Sequence, residues 1–191
     1  MSQNLLNHIK KFAEISKEDY AEIQQYFAFI NAAKKQNLLV EGKVCKCNYF
    51  VSKGCLRLFF INDKGVEQTI QFALENWWLA DYASFSWQKP SEFYIQAVEK
   101  SEILALDYKA QEEMLRRFPQ MERYFRSVHQ RAHAAAQFRI MNLYTLSREE
   151  IYHQFVNQYP EFVQRIPQYL LASYLGFTPE YLSEIRNKRM S

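Results

Sequence analysis

Seven side chains in this chain of 191 residues carry the thiols and imidazoles that bind metals or attack substrates: Cys45, Cys47, Cys55, His8, His129, His133 and His153. A C-x-C pair with a third cysteine offers three thiolates, but a structural metal or iron–sulfur site takes four ligands and no histidine lies near in sequence. Plain strand residues with reduced thiols are the expectation, since the cysteine count is odd. His129 and His133 stand four apart on one helix face, a metal-compatible spacing without a third ligand, and a surface pair is expected there. The sequence holds no Ser-His-Asp order, phosphate loop, HExxH or glycine-rich nucleotide fingerprint. The chain is therefore read as a non-enzyme with no cofactor and no metal.

The elements that would position other chemistry follow from composition. Apolar residues make up 48% of the chain and aromatics 16%, against 4 Gly and 5 Pro, which suits a packed core rather than disorder. No apolar run reaches the roughly 20 residues of a membrane span. The opening stretch MSQNLLNHIKKFAEISKEDY has scattered charges and no long apolar run, so it does not read as a secretory signal. A cytoplasmic protein with no membrane partner is expected. The net charge of +3 is uneven. Arg116, Arg117, Arg123, Arg126, Arg131 and Arg139 face Glu122 alone within residues 114–140. Such a stretch either attracts phosphate or forms a solvated helix face.

The pattern predicts an α+β chain. Residues 4–29 read as helical, with Ser16 as an N-cap before Glu18 and Asp19. Residues 38–106 change to short strands separated by Gly42, Gly54 and Gly65, with a hairpin turn at Asn62–Gly65. FYIQAVEKSEILALD reads as one later strand, and the set suggests an antiparallel β-roll or jelly roll. A long helix follows, from Pro119 in its first turn to about residue 143. Along it Met121, Phe125, Val128, Ala132 and Ala135 recur at alternating spacings of four and three. That stripe is either a seam between two copies or a face packed on the chain's own β-domain.

The stretch IPQYLLASYLGFTPEYLSEIRNKRMS then places Pro167 at the start of one helix and Gly176 at its left-handed cap. Thr178 is the N-cap of the next helix and Pro179 its first residue. Ala172 is small where two helices cross, and Leu171, Leu175, Leu182 and Ile185 supply apolar contacts. The pattern is that of a helix-turn-helix, which an ordinary αα-hairpin could mimic.

The run LYTLSREEIYHQFVNQYPEFVQRIPQYLLASYLGFTPEYLSEIRNK, with the glycines at 42, 54 and 65, resembles the Crp/Fnr transcription regulators, particularly the short form common in Bacteroidetes. The resemblance covers nearly the whole chain. It implies a cyclic nucleotide-binding-like β-roll effector domain with N-terminal helices over 1–108, a linker and dimerisation helix over 109–146, and a DNA-binding helix-turn-helix domain over 147–191. The implied partners are double-stranded DNA and a second copy of the chain, with RNA polymerase a candidate. By family position Thr178 touches phosphate, while Glu180 and Glu184 face bases, where a glutamate accepts from cytosine N4. Tyr181, Ser183 and Asn187 lie close enough on that helix to help, and Arg186, Lys188 and Arg189 would meet phosphates. There are two departures. Relatives usually carry a basic residue in place of Glu184, and many continue into a β-hairpin wing, which this sequence is expected to lack.

Relatives that bind cyclic AMP use a Gly-Glu pair and, some ten residues on, an Arg. Here Leu79, Ala80 and Asp81 fall at the first position, and Ser91 and Glu92 at the second. No Arg occurs between residues 58 and 115. Lys89 is nearby but is a poor bidentate clamp for a cyclic phosphate. The implied effector is therefore unknown and not cyclic AMP. Trp77, Trp78, Tyr82, Phe85 and Trp87 either fill the pocket as core or accept a flatter, less charged ligand. Two other functions stay open: a dimeric β-roll acting through a protein partner, and a cyclic-nucleotide-responsive regulator.

Overall fold

The computed structural model describes residues 3–190, with side chains given through 187. Helices α1 (Gln3–Ile9) and α2 (Lys17–Ile23) open the chain. Ser16 Oγ caps α2 by accepting from the Asp19 N–H at 2.9 Å. The helical pattern read over residues 4–29 stops earlier than expected. A single 3-10 turn (Gln24–Tyr26) leads into strand β1 (Phe27–Ala32). There the ladder with β8 (Ser101–Asp107), six consecutive residue pairs long, overrides local helix propensity.

Strands β2 (Asn37–Leu39), β3 (Cys47–Lys53), β4 (Leu56–Ile61), β5 (Glu67–Ala73), β6 (Trp78–Leu79) and β7 (Tyr94–Ala97) complete the β-roll with β1 and β8. Among the described residues they form two four-stranded antiparallel sheets, ordered β1-β8-β3-β6 and β2-β7-β4-β5. The single strand expected over residues 93–107 is two strands, one in each sheet, so the chain crosses the sandwich at residues 98–100. Between the sheets lie Val51, Leu56, Leu58, Leu79, Ile95 and Ile103. The hairpin at Asn62–Gly65 forms as expected, with Asn62 Oδ1 accepting the backbone N–H groups of Lys64 and Val66 at 3.0 Å each. Gly54 is needed at the β3–β4 turn twice over: its φ is +101°, and a Cβ there would collide with Ser101. A short helix, α3 (Tyr82–Trp87), interrupts the strands.

Helix α4 (Tyr108–Arg117) leads to the long helix α5 (Gln120–Thr145), with Pro119 as its N-cap residue. A second core joins Leu5, Ile9 and Ile23 of the first helices to Phe50, Leu104 and Leu106 and to Met114, Met121, Tyr124 and Phe125. Helices α6 (Arg148–Gln158), α7 (Pro160–Arg165), α8 (Gln168–Leu175) and α9 (Pro179–Met190) finish the chain. Ser147 and Glu150 form a reciprocal capping box on α6. Pro167 precedes α8 as its N-cap rather than standing inside its first turn. No helix among the described residues is long and apolar enough to cross a membrane.

Candidate nucleic-acid interface and effector region

The C-terminal helices assemble around Tyr152, Leu171, Ala172, Leu175, Phe177, Leu182 and Ile185. Gly176, at φ +76°, ends α8 in the left-handed conformation, and its N–H returns to the Ser173 carbonyl. Thr178 then restarts the chain as a helix. Its Oγ1 accepts from the Tyr181 N–H at 3.2 Å and its carbonyl from Leu182 at 3.1 Å. Glu180, Ser183, Glu184 and Asn187 follow at helical spacings of three, one and three, so all four lie on one exposed face of α9. Leu182 and Ile185 occupy the opposite, buried face, and exposed Arg186 stands at the flank.

Two of the expected contact residues are less simple. Tyr181 is half-buried, its ring 5.5 Å from that of Phe177 and beneath the Arg148 guanidinium. Packing takes the ring that was expected to help at the outer face. Ser183 Oγ donates to the Pro179 carbonyl at 3.0 Å, so only its lone pairs face outward. The side chains of Lys188 and Arg189 lie outside the described residues. The outer face of α9 therefore carries two carboxylates, one hydroxyl and one amide, with the described cation at its edge.

The expected seam on α5 divides in two. Met121 is fully buried, Phe125 is 5% exposed, and Val128 packs against the same core. Burying a large apolar side chain stabilises by about 1.5–3 kcal/mol. Met121 and Phe125 realise that gain inside their own chain, and half-buried Val128 does so in part. Ala132 and Ala135 are exposed. Farther along, Arg139 turns back to donate to the carbonyls of Ile70 and Tyr174. The far side of the helix carries Ala134, Phe138 and Met141, spaced four and three, with Phe138 64% and Met141 48% exposed. The basic stretch is exposed but partly engaged by the chain's own side chains. Arg117 pairs with Glu22, and the Arg131 guanidinium lies over the Phe12 ring.

In the β-roll, the residues expected to line an effector pocket are occupied by packing and by each other. Trp78, Leu79 and Ala80 are buried core residues. Asp81 is the N-cap of α3, its Oδ1 accepting from Ala83 and Ser84, while Oδ2 accepts from Ser91 Oγ at 2.7 Å. Asp81 and Ser91, the two positions that the resemblance assigned to the effector pocket, bind one another. A carboxylate already sits on the first N–H groups of α3, where a phosphate would otherwise be attracted. Glu92 is exposed, Trp77 and Trp87 are 46% and 71% exposed, and Phe85 is in the core. Tyr82 meets His129 ring edge to face at 4.8 Å. His129 is thus turned inward rather than paired with His133 at the surface, and burial lowers its pKa.

Sequence inspection gave no sign of the polar triad on the other core. Trp78 Nε1 donates to Tyr124 Oη at 2.8 Å, and Tyr124 Oη lies 2.7 Å from His8 Nδ1. An indole N–H can only donate, so the phenol oxygen accepts from Trp78 and its own proton is available to His8 Nδ1 whenever that nitrogen is the unprotonated one. Burial, with help from Lys11 and Arg131, lowers the His8 pKa to about 4. Burial also raises the thiols of Cys45, to about 11, and Cys55, which suppresses their thiolates.

Residues 29–118 match the family model of the cyclic nucleotide-binding domain. Among solved structures, CLP of Xanthomonas campestris, described as a c-di-GMP-responsive global regulator, is 10% identical at a TM-score of 0.74, over 92% of this chain and 92% of that one. FixK2 of Bradyrhizobium japonicum is 15% identical at 0.71, over 85% and 83%. A CooA variant of Carboxydothermus hydrogenoformans is 18% identical at 0.69, over 88% and 79%. No curated protein matches in sequence. These neighbours are Crp/Fnr-family regulators, and the chain has their fold: a jelly roll carrying a cyclic nucleotide-binding domain match, then a long helix and further helices.

Proposed function

We propose that this chain is a cytoplasmic, short Crp/Fnr-type transcription regulator that reads double-stranded DNA as a homodimer, with residues 147–191 as the reading unit. The observation that carries this is α9: capped by Thr178, held on α8 through Gly176, and presenting Glu180, Ser183, Glu184 and Asn187 on one exposed face. A helix so presented fits a major groove, its glutamates accepting from cytosine N4 while Arg186 meets phosphate. Two copies paired through α5 would address half-sites about 34 Å apart in a roughly palindromic operator. The Asp81–Ser91 pair and the lack of a nearby Arg support an effector other than cyclic AMP.

Binding-site selection followed by salt titration tests this. Glu180→Ala should cost about 1–3 kcal/mol on the selected site and flatten the preference at one base pair. Arg186→Ala should weaken binding to all sequences and lower the salt slope by about one per subunit. If no sequence is enriched and neither variant alters duplex binding, the two carboxylates of α9 face a protein instead.

A further inference from the structure

Six arginines fall within residues 114–140, and a DNA contact made by α9 uses none of them. Their surroundings sort them. Arg139 is committed to the carbonyls of Ile70 and Tyr174, and Arg117 pairs with Glu22. Arg116, Arg123, Arg126 and Arg131 are exposed, and among the described residues none of these four is in an ion pair. Two of them share a face of α5 with the apolar stripe of Ala134, Phe138 and Met141. Followed toward the start of the helix, that stripe continues at steps of three, four and four through Arg131, Ser127 and Arg123. The face is thus apolar in its second half and cationic in its first. Glu122 is the only carboxylate within residues 114–140. It is turned about 100° from Arg123 around the helix and farther from Arg131. The Arg131 guanidinium lies 4.6 Å over the Phe12 ring rather than against an acid. After burial, which is the main cause, Lys11 and Arg131 both lower the His8 pKa, so their charge is not cancelled nearby.

We propose that two copies paired along this face hold a condensed phosphate, an anion of two or more linked phosphate groups, between Arg123 and Arg131 of one copy and the same residues of the other. The inference rests on the homodimer reading of α5. Parallel packing sets two helix axes about 8–10 Å apart, which brings the four guanidiniums around the two-fold axis. Four like charges there oppose the apolar contact made by Phe138 and Met141, and a multiply charged anion removes that opposition. Guanidinium forks match phosphate oxygens in pairs, and two linked phosphates offer oxygens to both copies at once. The site is complete only in the pair, so the anion strengthens association by mass action. It uses neither α9 nor the interior of the jelly roll.

The experiment is sedimentation equilibrium of the full chain at fixed ionic strength with pyrophosphate, inorganic phosphate or sulfate. Pyrophosphate at ~1 mM should tighten the dimer at least tenfold, which corresponds to a site Kd of about 0.1 mM. Inorganic phosphate and sulfate should tighten it less than threefold. Arg123→Gln, an exposed position whose folding dichroism can verify, should abolish the pyrophosphate response while leaving the anion-free dimer as tight or tighter. Arg126→Gln, which lies off the face, should keep the response. A dimer indifferent to pyrophosphate overturns the site and leaves the pairing standing. A chain that stays monomeric in every buffer overturns the pairing, and the site with it. An equal response to sulfate reduces the effect to ionic screening and overturns the proposal, as does an undiminished response in Arg123→Gln.

Discussion

At the scale of single residues, His8 shows how a buried polar chain becomes a pH response. Its Nδ1 and the Trp78 indole both meet the phenol oxygen of Tyr124, at 2.7 and 2.8 Å. A protonated ring has N–H on both nitrogens, so Nδ1 can then only donate, and the phenol hydrogen finds no acceptor in either neighbour, in a core where Tyr124 is fully buried. The sign follows from linkage. A histidine whose folded-state pKa lies near 4, below its unfolded 6.5, contributes stability that is complete above pH 6.5 and is lost as pH falls toward 4. The urea midpoint should therefore drop across that window, and His8→Gln should flatten the drop while lowering stability at pH 7. Equal pH profiles for the two proteins would remove His8 as the cause. Nothing in the sequence marked this triad, since His8, Trp78 and Tyr124 are far apart in the chain and only the tertiary core brings them together. Asp81 and Ser91 were marked by family resemblance, which could not tell a ligand site from a capped helix.

At the scale of elements, α5 spans about 39 Å, and its two halves do different work. The same face that carries Met121, Phe125 and Val128 against the core carries Arg139 toward Ile70 and Tyr174. Under the proposed pairing, a partner helix would meet α5 on the other side, along Ala134, Phe138 and Met141, whose spacing of four and three suits knobs-into-holes packing. Phe138→Asp should weaken dimer association at least tenfold, about 1.4 kcal/mol, in sedimentation equilibrium, while leaving the far-ultraviolet dichroism unchanged. Val128→Asp should instead lower the melting temperature, because it faces the internal core. A dimer indifferent to Phe138→Asp would move the seam to another surface. Local spacing found the long helix and the two-helix unit around Gly176, although Pro119 is the N-cap of α5 rather than a residue of its first turn. Spacing alone could not choose between a seam and an internal face, because both stripes are apolar, and where the β-roll ends decides that Met121 and Phe125 are buried within the chain. The β1 strand was hidden for a similar reason: its ladder with β8 joins residues far apart in sequence, from Phe27–Leu106 to Ala32–Ser101.

At the scale of the whole molecule, the C-terminal helices are fused to the β-roll by a core of their own. Cys55, Phe72 and Val98 from the roll pack with Phe162, Ile166 and Leu170 from α7 and α8, and the Phe72 and Phe162 rings are 5.1 Å apart. Polar contacts surround this core. Arg165 donates to Glu75 and Glu99, and Ser173 Oγ donates to the Glu67 carbonyl at 2.8 Å while accepting from the Thr69 N–H at 2.8 Å. Burial alone would raise the Glu75 carboxyl, but the bonds from Arg165 and the Gly54 N–H outweigh it and hold the pKa below the usual range. Salt bridges a third exposed contribute about 1 kcal/mol at most each, so the apolar cluster supplies most of the attachment. Roll and C-terminal helices should then unfold together. All three tryptophans lie in the roll, at Trp77, Trp78 and Trp87, whereas the helix signal comes largely from outside it. Thermal melts followed by fluorescence and by dichroism at the helix band should coincide in the native protein. Phe162→Ala leaves a cavity in the shared core and should cost about 3 kcal/mol. That loss falls on the attachment, so the dichroism transition should move to lower temperature and separate from the fluorescence transition, with the helices melting first. Separate transitions in the native protein would show that the shared core does not couple the two parts. Coincident transitions that shift together in Phe162→Ala would show that they form a single unit even after the cavity is made.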